Sequence, residues 1–347
     1  MTTPTPWVSV IIVSWNARHL LAQCLPSVVA TDYPHLEIIL ADNGSTDDSA
    51  AWVAAQFPTV RIVRHPENWA FCRGNNAAIP YARGDYLVLL NNDVEVPPDW
   101  LWPLVRRMEA NPQLGAVQPK LHQYHRRTHF EYAGAAGGFL DRFGYPFARG
   151  RIFDTVEPDE GQYDNPGPIF WATGAAIMLR RSALMQVGLL DEQFVLHMEE
   201  IDLCWRLQRA GYRIELVPES VVYHLGGSSL PPHDARKTYF NFRNSLLLLY
   251  KNLPPAEWRR TFPLRALLDG IAFLRFLVLG RWKDAFAVVK AYHDAHNLSR
   301  HYRQTRPKDN ERVVLPPYRG SIAWDYFVLR RRRFQDLPAR RWLTSAG

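Results

Sequence analysis

At 347 residues, with 47% hydrophobic and 22% charged side chains, the chain holds enough apolar material for one large core plus an appended segment, which excludes a disordered protein. Its three cysteines, Cys24, Cys72 and Cys204, are scattered without CxxC spacing, which excludes a disulfide framework or a cysteine zinc site and fits a reducing compartment. The net charge of +7 gathers in the last third, from Arg281 to the run Arg330 through Arg333, while the first part is nearly balanced, so the two parts are expected to do different work.

Met1 to Trp7 is polar and lacks the charged-then-apolar layout of an export signal, so a cytoplasmic setting is expected. Val8 to Val13 is a β-branched run of the length of a strand buried on both faces. Helical spacing follows from Arg18 to Val29, then an apolar run from Leu36 to Ala41. A helix is predicted over Ser45 to Phe57, a strand over Val60 to Arg64, a helix over Phe71 to Tyr81 and a strand over Tyr86 to Leu90. This alternation predicts a parallel sheet flanked by helices, where ligands bind beyond the carboxyl ends of the strands. Those ends are polar: Ser14-Trp15-Asn16, Asp42-Asn43-Gly44-Ser45, His65-Pro66-Glu67-Asn68 and Asn91-Asn92-Asp93.

From Asn111 to Pro168, glycine, proline and aromatics obscure any period, and long loops are predicted. Order returns with a strand from Gly174 to Arg180, a helix from Glu199 to Ala210 closed by Gly211, and two strands, Arg213 to Val217 and Val221 to His224. A helix is predicted over Arg236 to Tyr250. The apolar stretch Leu264 to Gly280 contains Arg265, Asp269 and Arg275, too polar for a membrane span. It is expected to lie in a membrane interface, to pack on the main domain or to mediate dimerisation.

Taken in order, the Val8 strand with Asn16, Asp42 to Asp47, Asn68 to Asn76, Asn91-Asn92-Asp93, Glu199-Glu200-Ile201-Asp202 and His224-Leu225-Gly226-Gly227 resemble the family 2 glycosyltransferases, over about the first 230 to 250 residues. The pattern is most similar to bacterial rhamnosyltransferase-like members that build surface polysaccharides. The resemblance implies an α/β fold of the GT-A nucleotide-diphospho-sugar transferase type over residues 1–235, with a nucleotide-binding half to about 110 and an acceptor half after it. Residues 236–347 would form a helical, basic extension. It also implies inverting transfer from a UDP- or dTDP-sugar to a saccharide or lipid-linked acceptor, with Mg²⁺ or Mn²⁺ as cofactor.

Residue by residue, the resemblance gives Asp42 to the donor base, with Asn16 and Asn92 beside it; Ser45 and Asp48 alone read as a capping box. It makes Asp93 a metal ligand. Asn91 and Asn92 replace the acidic first position of the metal motif, and His224 is expected to supply the further ligand, although a histidine after a strand is also an ordinary structural residue. The base that removes the acceptor proton falls on Glu200, where the family usually has the shorter Asp, with Glu199 as the alternative. Asp202 completes the acidic group and, with Arg206, orients the helix; on their own these carboxylates complement the helix dipole. Asn68, Gly74 and Asn76 are expected near the ribose or diphosphate, with an ordinary helix cap as the other reading of Asn68. Trp171, Thr173 and Gly174 are expected where acceptor and donor sugar meet, Trp171 either stacking on sugar or filling core, and the loop Tyr132 to Gly144 could cover the acceptor.

The basic C-terminal third predicts peripheral contact with an anionic membrane, with packing or oligomer formation as the other reading. No nucleic-acid partner is expected, since no aromatic platform interleaves the cations. A sugar nucleotidyltransferase would need a glycine-rich basic loop and an oxidoreductase a GxGxxG after the first strand; Ser14 to Arg18 has no glycine. A nucleotide-sugar-binding protein with decayed catalysis is the non-enzyme alternative.

Overall fold

The unbroken Val-Ser-Val-Ile-Ile-Val run forms β1 (Val8–Ser14), whose residues are almost all buried. In the computed structural model, which describes residues 5–226, 234–309 and 314–343, α1 (Arg18–Val29), β2 (Leu36–Asp42), α2 (Ser49–Gln56), β3 (Arg61–Arg64), α3 (Ala70–Ala78) and β4 (Tyr86–Asn91) follow. β1 pairs in parallel with both β2 and β4, and β2 with β3. The chain order therefore reverses at β1 and β4, which opens a crevice beyond their carboxyl ends.

The expected loop region corrects most. After the two-residue β5 (Val94–Glu95) and α4 (Leu101–Ala110) comes β6 (Leu114–Gln123), ten residues long and central in the sheet. Gly115 and Pro119 hide it in the sequence, because they break the apolar run of a strand that is nonetheless buried on both faces. Short strands β7 (Gly138–Leu140), β8 (Pro146–Ala148), β9 (Arg151–Ile152) and β10 (Thr155–Val156) then form a small antiparallel sheet, and β11 (Gly167–Pro168) joins the main one. β12 (Ala176–Arg180) lies antiparallel between β4 and β6. α5 (Arg181–Val187) and α6 (Glu199–Arg209) follow, and the two strands predicted next are one, β13 (Arg213–His224), with a register shift between Val217 and Val221.

Among the described residues the main sheet runs β11-β13-β6-β12-β4-β1-β2-β3, with β5 on β13. This is the mostly parallel, helix-flanked sheet that the sequence predicts. One core, including Ile12, Leu21, Leu25 and Trp100, packs one face; the other, including Ile11, Leu89, Phe194 and Trp205, packs the opposite face.

α7 (Ala235–Asn252), α8 (Pro255–Val278) and α9 (Trp282–Ser299) complete the helices. The last segment returns over the small sheet: the Phe139 ring lies 5.1 Å from Phe334 and 5.2 Å from Trp342, and buried Asp141 accepts the Ile322 amide at 2.9 Å. Residues 314–343 thus share a core with the small sheet. The basic run Arg330 through Arg333 lies on this segment.

Candidate active site

The crevice is built from strand ends. Asn43, just after β2, donates its amide to Ser14 O at 2.8 Å, and Asn92 Nδ2 donates to Ser14 Oγ at 3.1 Å, so the ends of β2, β1 and β4 are tied together. Asp42 is buried and accepts the Ser45 amide at 3.3 Å. Asn16, at φ 47°, turns the chain after β1; its Oδ1 accepts the Thr46 amide at 2.7 Å and its own amide donates to Ser45 Oγ at 3.0 Å. Ser45 is thereby used in the loop and not as a cap: α2 starts only at Ser49, behind Asp48, so the expected Ser45–Asp48 capping box is corrected.

Asn68 Oδ1 accepts the Ala70 amide at 2.9 Å, and Asn43 Nδ2 donates to Ala70 O at 2.9 Å. A Cβ on Gly74 would stand 2.8 Å from Asn43 Oδ1, so glycine is what lets α3 approach the β2 end. Asn76 departs from its expected place by the donor: its side chain donates to Leu190 O and accepts the Leu190 amide, pinning α3 to the loop before α6. Beside Asn68 opens a cleft of about 340 Å³ lined by Trp69, Cys72, Arg73, Glu192 and Val195 among others. The sequence reading missed its aromatic wall, where Trp69 stacks between His65 (4.6 Å between rings) and the Arg73 guanidinium (3.9 Å).

Asp93, 1% exposed, meets His224 Nε2 at 3.0 Å, bringing together residues 131 positions apart. On the far side of the ring Glu131 Oε2 lies 3.2 Å from Nδ1. Burial alone would lower the His224 pKa, but the Asp93 and Glu131 carboxylates outweigh it and raise the value to about 10. Glu131 was hidden in the stretch read as loop. Among the described residues no group of three or more His, Cys, Asp or Glu could hold a metal, and Asp93 and His224 are the pair the described residues offer. The donor set fits that role once an ion displaces the Nε2 proton: a carboxylate and an imidazole side by side suit Mn²⁺ or Mg²⁺ completed by diphosphate oxygens, and a carboxylate behind the second ring nitrogen is the usual way of orienting a ligand histidine.

The segment before β12 reaches the same rim. Asn91 donates its amide to Ala175 O at 3.0 Å, and a Cβ on Gly174 would lie 3.3 Å from Phe71 Cζ and 3.8 Å from Glu200 Cβ. Gly174 therefore leaves the space between the α3 start and Glu200. Thr173 is buried, held by Gln118 Oε1 at 2.8 Å and accepting the Ala175 amide, so it shapes the turn. Trp171 is corrected to core: it is buried, its Nε1 donates to Phe139 O at 2.9 Å, and a Cβ on Gly138 would fall 1.9 Å from its Cε2.

Glu199 and Glu200 open α6, and Oε2 of each is buried with no hydrogen-bond partner among the described residues. Burial pushes the Glu200 carboxyl up to about 7, with amides of the first turn pulling the other way. Glu199 is raised well above the carboxylate range by burial and then by the Glu200 charge. Asp202, grouped with them in sequence, does something else. It is fully buried and bonded to Arg206 Nε (2.8 Å), Lys251 Nζ (2.8 Å) and Asn252 Nδ2 (2.9 Å), so it ties α6 to α7 and has no catalytic contact. Burial raises its pKa, but Lys251 and Arg206 outweigh that and hold it below the usual range.

The loop before α6 contains Val195, His197 and Met198 at φ 64°, 69° and 72°, costly conformations for side chains with a Cβ. α7 holds it there. Asn244 Nδ2 donates to Phe194 O, Leu196 O and His197 O at 2.7–2.9 Å, and Arg243 Nη2 to Gln193 O and Phe194 O. No sequence signal marked this clamp.

The sequence model of glycosyl transferase family 2 matches residues 9–188. O-antigen biosynthesis protein RfbC of Myxococcus xanthus is 31% identical over 69% of this chain, and the chain spans only 19% of that protein's length. N-acetylglucosaminyl-diphospho-decaprenol L-rhamnosyltransferase of Mycobacterium tuberculosis is 27% identical, covering 78% of this chain and 92% of that one. Among solved structures, GalNAc-T7 with UDP, GalNAc and Mn²⁺ superposes with a TM-score of 0.57 at 18% identity, over 71% of this chain and 49% of that chain. That likeness shows the GT-A fold expected from the sequence.

Proposed function

Because the chain belongs to glycosyl transferase family 2, we propose that it moves a sugar from a UDP- or dTDP-sugar to a hydroxyl of a saccharide or lipid-linked acceptor, with inversion, in cell-surface polysaccharide synthesis. The reading is supported by Glu200, whose Oε2 is enclosed with no hydrogen-bond partner among the described residues, standing beside Gly174, and by the neighbouring Ala175 tying that turn to the β4 end next to the Asp93–His224 couple. An enclosed carboxyl raised by burial at a cleft suits a general base, which favours transfer over mere binding of the nucleotide sugar.

Asp42 and Asn43 at the β2 end, with Asn16, Asn68 and Asn92, frame the donor nucleotide. Asp93 and His224 would hold Mg²⁺ or Mn²⁺, whose chemistry when bound is to neutralise the charge that develops on the diphosphate. Glu200 accepts the proton of the acceptor hydroxyl as its oxygen bonds to the anomeric carbon and the bond from that carbon to the diphosphate oxygen breaks, releasing the nucleoside diphosphate. Glu199, kept neutral, leaves Glu200 as the single ionising partner of the pair. Gly174 leaves room for the acceptor beside Glu200. The relative named for a decaprenol-linked substrate supports the lipid-linked acceptor, and among the described residues no helix is long and apolar enough to cross a membrane.

The test is thermal stabilisation by UDP- and dTDP-sugars with and without Mn²⁺, followed by transfer assays with the best donor. Wild type is expected to gain Mn²⁺-dependent stabilisation that Asp93→Ala loses, together with activity. An unchanged Mn²⁺ response in Asp93→Ala refutes the metal assignment.

A further inference from the structure

α8 is inverted relative to a helix on a water-soluble protein. The residues it buries are Thr261, Arg265 and Asp269, with Arg265 Nε bonded to Asp269 at 2.9 Å and its Nη1 to Phe143 O at 2.7 Å. The large apolar residues it exposes are Leu264, Leu267, Ile271, Leu274 and Val278, a continuous stripe at alternating spacings of three and four, with Val278 87% exposed. Chain continuity through Leu279 carries the apolar surface to Trp282, Phe286 (72% exposed) and Val289 of α9. The Arg275 guanidinium, 5.6 Å from the Phe327 ring, joins it to the exposed group Trp324, Phe327, Val328 and Leu329. A patch of this extent on a protein surface marks an interaction site.

Charge chooses the occupant. Arg275, Lys283, Arg330, Arg332 and Arg333 are exposed around the patch. Of the acids on these elements, Asp269, Asp284 and Asp325 are buried in ion pairs with Arg265, Arg281, Arg331 and Arg341, while Glu257, in the first turn of α8, and Asp294, late in α9, pair with Arg260 and Lys290. A symmetric pairing with a second copy would set like charges against each other, because the same patch meets itself across a two-fold axis. A leaflet of anionic lipid would instead gain both the apolar burial and the cation contacts, with the two tryptophans suited to the headgroup boundary. We infer that the face made by α8, the start of α9 and residues 324–333 docks on an anionic membrane surface, α8 lying flat with its Leu264–Val278 stripe in the headgroup region. This goes beyond the transfer reading and stands without it, since these elements are not the ones that form the rim.

Flotation of the full chain with vesicles, in the absence of nucleotide sugar, tests it. Binding is expected to phosphatidylcholine vesicles containing phosphatidylglycerol and not to pure phosphatidylcholine, and to weaken as salt rises. Ile271→Ser with Leu274→Ser and Phe286→Ser should abolish flotation with an unchanged Tm and unchanged transfer to a soluble acceptor. Arg330→Gln with Arg332→Gln and Arg333→Gln should weaken binding on the order of a hundredfold, at ~1 kcal/mol per cation near the surface. Equal flotation by the apolar triple variant overturns the inference. So does a wild-type dimer that ignores vesicles and falls to monomer in that variant, which would give the face to a second copy.

Discussion

Glu200 is the residue on which the chemistry turns, and its environment makes the pH response specific. Its carboxyl ionises near pH 7 while Glu199 stays protonated, so kcat/KM should rise with pH through an acid limb near 7. Glu200→Gln should lose roughly 10²- to 10⁴-fold in kcat with donor binding kept. Glu199→Gln, which removes only a neutral neighbour, should keep both the activity and the limb; the opposite pattern would transfer the base role to Glu199. Stability follows with its own sign. A carboxyl raised on folding costs nothing below its unfolded pKa and an increasing amount as pH climbs from about 4.5 to about 7. Glu200→Gln should therefore melt a few degrees above wild type at pH 8 and level with it below pH 4, as scanning calorimetry can read. Asp93, His224 and Glu200 were singled out in sequence by the resemblance to family 2 glycosyltransferases, and each stands at a strand end or in the first turn of a helix. Trp171 was not, since one sequence does not tell a ring that faces a crevice from one that faces Gly138.

Among the elements, α7 decides where Glu200 stands. The left-handed turns at Val195, His197 and Met198 persist because Asn244 and Arg243 take the loop's carbonyls and Asp202 anchors α6 to Lys251 and Asn252. Asn244→Ala should lower kcat about tenfold or more with donor KM unchanged, since a misplacement of ~1 Å far from the substrate is enough. Asp202→Ala leaves Lys251 and Arg206 without their buried carboxylate and should cost about 3–5 kcal/mol in chemical denaturation. Because the Asp202 pKa is depressed on folding, its contribution is present above the unfolded carboxylate pKa and fades as pH falls through the lower folded value. A stability unaffected by Asp202→Ala would remove the tie. None of this clamp was visible in the sequence, because pairings across about fifty residues leave no local pattern. β6 was missed for a local reason, Gly115 and Pro119 inside a strand whose two neighbours complete its burial.

Over the whole molecule, a mostly parallel sheet gathers one rim from segments spread between Ser14 and His224, and the C-terminal third serves that rim from behind while turning an apolar, basic face outward. The alternation of strands and helices was enough to read the first four strands and the rim they make. The small sheet β7–β10 and the return of Phe334 and Trp342 onto Phe139 depend on aromatic packing between distant segments, which periodicity does not record. The same holds for Glu131 behind His224. The central claim is that Asp93 and His224 hold the ion that the donor diphosphate binds, facing Glu200. Anomalous scattering from a crystal of the chain grown with Mn²⁺ and UDP or dTDP measures it directly. The account predicts one manganese peak within coordination distance of both Asp93 and His224, with the nucleotide base at Asp42; a peak remote from that pair, with the nucleotide bound away from the β1–β4 rim, would contradict it.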